Sequence, residues 1–153
     1  MSLRGAAFIA GAYEHPRREI PDLSVAQIHA EVALGALSDA GLESRDVDAY
    51  FCAGDAPGFG PLSMAEYLGL RCRYMDSTEM GGSSYVAHVG HAAAAIAARK
   101  CQVALITLAG RPRTGGPPPG TSSAAATLRV LSAEASSFRL AASALARALV
   151  RMA

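Results

Sequence analysis

The chain has 153 residues, enough for one domain with a core of its own. Its net charge of +1 gives no long-range field that would favour nucleic acid or an anionic membrane. Half of it (51%) is hydrophobic and 18% is charged, which points to surface made for other protein, yet no uninterrupted apolar stretch approaches the roughly 20 residues of a membrane span.

Residues 5–11, Gly-Ala-Ala-Phe-Ile-Ala-Gly, read as a buried strand, and the polar, Pro-containing run Tyr13 to Pro21 as a loop. Ser24-Val-Ala-Gln27 is a capping box. Val25, Ile28, Val32, Ala36 and Ala40 then recur at helical spacing, and Gly41 closes that helix. Val47 to Ala53 predicts a second strand, residues 54–61 a Gly/Pro loop, and Leu62 to Leu70 a short helix with Gly69 near its end. A third strand at 73–77 feeds the Gly81-Gly82 turn, a helix from Ser83 or Ser84 to about 99 follows, and 103–109 is a fourth strand of the fully buried kind. Four alternations of strand and helix predict an α/β fold with a parallel sheet and right-handed crossovers.

The stretch 76–100 organises the rest. Tyr85, Val86, Val89, Ala92, Ala93 and Ile96 give its helix an apolar side, and Ala and Gly leave almost no polar face. Such a helix is expected to be buried between layers. Its first backbone N–H groups and the positive end of its dipole would face residues 79–83, a place for an anion, an oxyanion or a nucleophile. Glu79 is accordingly a candidate acid/base, or a carboxylate that only complements the dipole. Gly81, Gly82 and Ser83, with Ser84 after them, are candidate binders of an oxyanion or phosphate, or simply a turn.

Weaker candidates surround it. His88 and His91 lie three apart and could share a metal, but no third ligand is placed, so no metal site is expected. Cys72 sits between Arg71 and Arg73, which would favour its thiolate, yet away from the turn. Cys52 and Cys101 read as small core residues. Three irregularly spaced cysteines suggest no disulfide framework, and the start lacks a signal-peptide pattern; a reducing cytoplasm is the expected compartment.

From Thr114 the composition changes. Gly-Gly-Pro-Pro-Pro-Gly reads as a linker, and the remainder to Ala153 is built from Ala, Ser, Leu and Arg. Leu128, Leu131, Phe138, Leu145 and Leu149, with Arg139, Arg147 and Arg151, could form a basic amphipathic helix for a partner or membrane surface. The composition fits a non-native or frame-shifted tail better, because a shifted GC-rich reading frame yields mainly these residue types.

Four blocks carry a family resemblance: Ala7 to His15, Asp48 to Gly54, Gly81 to Ile96, and Ala104 to Arg113. In this order they resemble the N-terminal half of a thiolase-like protein, most closely the sterol-carrier and lipid-transfer branch. The resemblance covers about residues 3–113, giving an incomplete thiolase-like domain at 1–113 followed by the linker and tail at 114–153. It implies a layered αβαβα fold with the 84–98 helix at its centre. It also implies a homodimer or a small partner subunit, and substrates carried as coenzyme A thioesters, including CoA-linked lipids, with no bound cofactor. The implied activities of lipid metabolism are acyl transfer, as in acetyl-CoA acetyltransferases, and aldolase-like cleavage of a carbon–carbon bond. Family members that form an acyl-enzyme carry Cys-x-x-Gly at the mouth of the central helix. Matching Gly82 to that glycine puts Glu79 at the nucleophile's position, where no thioester can form. The family's His and second Cys belong to a C-terminal half that this sequence lacks, so the chain is expected to be inactive alone. The alternative expectation is a non-catalytic subunit that binds lipid or a partner.

Overall fold

Side-chain alternation in two short strands divides the core. In the computed structural model, which describes residues 3–53, 56–110 and 148–152, β2 (Ala49–Phe51) and β4 (Val103–Ile106) pair in parallel and are buried throughout. Ala49, Phe51, Ala104 and Ile106 pack on one side against Tyr85, Ala92, Ala95 and Ile96 of α3 (Ser84–Ala97). Tyr50, Cys52, Val103 and Leu105 pack on the other, against Ala33 and Leu37 of α1 (Val25–Ala40) and Met64 and Ala65 of α2 (Pro61–Tyr67). The period of two thus builds an α/β/α sandwich.

β3 (Tyr74–Asp76) pairs in parallel with the other edge of β2. The sheet order is β1-β5-β4-β2-β3, with β1 at Ala7–Gly11 and β5 at Ala148–Met152. β5 is antiparallel to both β1 and β4, so β1 runs in the same direction as β2, β3 and β4. The four predicted strands are therefore codirectional. The fifth is not legible in the sequence: Leu149 and Arg151 belong to the stretch read as a basic helix, and they stand in a strand instead. Ala, Leu and Arg favour helix by propensity, but here the backbone groups of β1 and β4 supply partners that override it. The predicted linker and the tail as far as residue 147 lie outside the described residues.

Local signals fix the element ends. The Ser24 hydroxyl accepts from the Gln27 N–H at 3.2 Å, and the Gln27 side chain accepts from the Ser24 N–H at 2.8 Å. Gly41 ends α1 in the left-handed region at φ +66°. Pro61 opens α2, which ends at Tyr67, short of the predicted Leu70, and Gly69 turns the chain at φ +66°. An unpredicted single turn of 3₁₀ helix, Ser44–Asp46, leads into β2. Asp48 then fastens three strands at their N-terminal ends. Its carboxylate accepts from the Gln102 and Val103 N–H groups at 2.8 and 2.9 Å and pairs with Arg73 at 3.8 Å.

β1 lies against α1 so closely that a Cβ on Gly11 would stand 2.5 Å from the Ala36 carbonyl oxygen and 2.8 Å from the Ala40 nitrogen. Both neighbours are helix backbone and cannot swing aside. Gly11→Ala should therefore destabilise the fold by about 1–3 kcal/mol, the usual cost of overpacking, measurable as a lower urea midpoint.

Candidate functional site

The parallel strands β2, β3 and β4 end at one edge of the sheet, and the chain leaving β3 turns there into α3. The turn is made by Gly81, at φ +63°, a conformation that glycine adopts without steric cost. Ser84 locks it: its buried hydroxyl accepts from the Met80 N–H at 2.7 Å and donates to the Gly81 carbonyl at 2.7 Å. The Glu79 carboxylate accepts from the Gly81 N–H at 2.8 Å, with the Ser84 hydroxyl 3.4 Å from the same oxygen. Glu79, Gly81, Gly82 and Ser83 are all solvent-exposed. Glu79 and Gly81 are thus brought together at the helix mouth. Gly82 is beside them in a backbone bridge with Met80, and Ser83 occupies the cap position without a side-chain cap bond.

Sequence points to the Gly81–Ser84 run and, as half of a histidine pair, to His91. It gives no sign of the Asp76–Thr78–His91 cluster at this mouth, in which His91 Nδ1 lies 2.6 Å from Asp76 Oδ2 and the Thr78 hydroxyl donates to Asp76 Oδ1 at 3.1 Å. Burial by itself would push the Asp76 carboxyl upward, but the hydrogen bonds from His91 and Thr78 and the His91 charge outweigh it and hold it below its usual range. The fifteen-residue separation between a strand end and the second turn of a helix gives no local signal.

His88, one turn above Ser84, is fully buried, with its ring 5.8 Å from those of Phe51 and Tyr85 and 6.2 Å from that of His91. Neither ring nitrogen makes a hydrogen bond among the described residues. Burial lowers its pKa; the Asp76 and Glu79 carboxylates and the nearby Thr78 backbone offset this only in part. His88 and His91 diverge in environment, one dry and one half-exposed, and among the described residues no group of three His, Cys, Asp or Glu side chains could hold a metal.

A second buried polar chain lies across the sheet. Thr107, directly after β4, has its hydroxyl 2.7 Å from His29 Nδ1 and 2.6 Å from the Tyr50 hydroxyl. All three residues are buried, and burial drives the His29 pKa down to about 4.

Cys72 departs from its sequence reading. Burial and the Asp48 carboxylate push its thiol up to about 11, so the flanking arginines do not make a thiolate there. The same two influences, opposed by Arg73, raise Cys101 to about 11.

α3 buries one face only. Ser84, Tyr85, His88, Ala92, Ala95 and Ile96 are buried against the sheet, but Val86 is 61% exposed and a Cβ on Gly90 would meet nothing within 4 Å. No helix among the described residues is long and apolar enough to cross a membrane.

No family model matches the chain, and no curated protein matches it. Solved structures do. An aldolase, Ltp2–ChsH2(DUF35), is 28% identical over 83% of this chain and 33% of its own, with a TM-score of 0.64. A monomeric SCP2-thiolase-like protein type 1 from Mycobacterium smegmatis is 24% identical over 69% of this chain and 23% of its own, TM-score 0.55. An acetyl-CoA acetyltransferase from Syntrophomonas wolfei is 15% identical over 67% of this chain and 28% of its own, TM-score 0.57. The chain therefore spans a third or less of the length of these structures. Codirectional strands, a small-residue helix on one side of the sheet and these likenesses together establish that the chain has a thiolase-like fold.

Proposed function

We propose that the chain handles coenzyme A thioesters, as part of a thiolase-like acyltransferase or carbon–carbon lyase in which Glu79 stands in the place of a nucleophilic cysteine. The observation that carries this reading is the Glu79 carboxylate at the mouth of α3, 2.8 Å from the Gly81 N–H. A carboxylate there can take a proton from the carbon next to a thioester carbonyl, or return one to it, but forms no thioester of its own. The thioester oxygen would take the amides of the turn at Gly81, Gly82 and Ser83, displacing Glu79 from the Gly81 N–H and leaving its carboxylate to act as base.

The exposed side of α3, with Val86 bare and space above Gly90, favours completion of the site by further protein. On this reading the chain is inactive alone and works as a homodimer or with a small partner subunit. The same bare surface supports a second reading, a non-catalytic subunit that binds a partner or lipid. Incubation with an acyl-CoA, followed by calorimetry and intact-mass spectrometry, separates them. The first reading expects saturable binding and an unmodified mass. A stable acyl adduct on Cys52 or Cys72 would overturn the role of Glu79, and absence of any acyl-CoA binding alongside a tight complex with another subunit would establish the second.

A further inference from the structure

Beside β3, the outermost strand on its side among the described residues, α3 walls a groove of about 430 Å³ that the acyl-CoA reading does not use. Ala94, Ala95 and Ala98 give it an apolar lining, alongside Tyr74, Asp76, His91 and Lys100. Asp76 holds His91 through Nδ1, which fixes the ring and leaves Nε2 as the nitrogen available to a ligand; the His91 side chain is 42% exposed. Lys100 brings an ammonium to the same groove, 5.2 Å from the centre of the Tyr74 ring.

The carbonyls at the end of α3 do not oppose an anion here as bare dipoles. Those of Ala94, Ala95 and Ile96 accept from the Ala98, Lys100 and Arg99 N–H groups. Among the described residues Asp76 is the single carboxylate on the groove, and His91 and Thr78 engage both of its oxygens. Two separate point donors beside an apolar lining suit a tetrahedral oxyanion on a hydrocarbon stem. A planar carboxylate is better matched by the fork of an arginine.

We propose that this groove binds a phosphate monoester, with the phosphate between His91 and Lys100 and its apolar stem along Ala94 and Ala98. His91 Nε2 donates in its protonated form, and Asp76 balances the charge from behind. The proposal is independent of what happens at Glu79.

The test is a titration of the full chain with n-butyl phosphate, followed through the ring resonances of His91 and Tyr74 by NMR. A saturable shift at millimolar concentrations is expected, with n-butanol producing none. Lys100→Met retains the aliphatic stem over Tyr74 and should weaken binding at least tenfold. His91→Gln, followed through Tyr74, should do the same. Unshifted rings in the folded wild-type chain would overturn the proposal, as would equal binding by both variants or a dimer that closes the groove to the ligand.

Discussion

Phe51→Ala should leave the chain largely unfolded or molten at room temperature. Phe51 is fully buried in β2, between the sheet and α3, with its ring 5.8 Å from those of Tyr74 and His88. Truncating a buried phenylalanine costs about 3–5 kcal/mol, through lost transfer energy and the cavity left behind, out of a total stability of about 5–15 kcal/mol. The loss falls where α3 is seated, so the turn at 79–84 loses its footing along with the core. Circular dichroism with urea would show the shift, and Phe51→Leu should recover most of it. A Phe51→Ala chain with an unchanged midpoint would mean that α3 does not rest on this strand.

Acid should weaken the fold through His29. Its pKa is about 4 in the fold against 6.5 for the free side chain. The folded state consequently binds fewer protons than the unfolded state between these values. The contribution is complete above pH 6.5, declines as pH falls toward 4 and levels off below. A displacement of that size corresponds to about 3 kcal/mol. His88, also lowered by burial, acts in the same direction. His29→Gln keeps a polar partner for Thr107 without titrating, so the difference in urea midpoint between wild type and variant should change between pH 7 and pH 4. Parallel pH profiles would show that His29 does not carry the effect.

Local chemistry made much of this fold readable. Ser24 and Gln27 declare a helix start, Gly41 a helix end, and the unbroken apolar run at 103–106 a buried strand, because each acts over a few residues. The Gly81 turn was legible for the same reason, and so was Glu79 beside it. What escaped depends on residues far apart in the chain. Neither Asp76 nor His91 carries a sign of the other, and the Tyr50–Thr107–His29 chain joins two strands and a helix. Cys72 misled because its two arginine neighbours in sequence count for less than burial and Asp48 in space. The one-sided exposure of α3 was hidden too, since alanine and glycine serve equally on a face packed against a sheet and on one left open.

The place of β5 sets how the sheet closes. Among the described strands β1 pairs with β5 alone, Ala7 of one meeting Met152 of the other. Before that pairing β1 can lean on α1 but has no ladder partner among the described strands, and the edge of β4 that takes β5 is equally bare. Contacts between residues so far apart in sequence are slow to form, and unpaired strand edges invite association in the interval. Association is therefore expected to compete with the arrival of β5 during refolding.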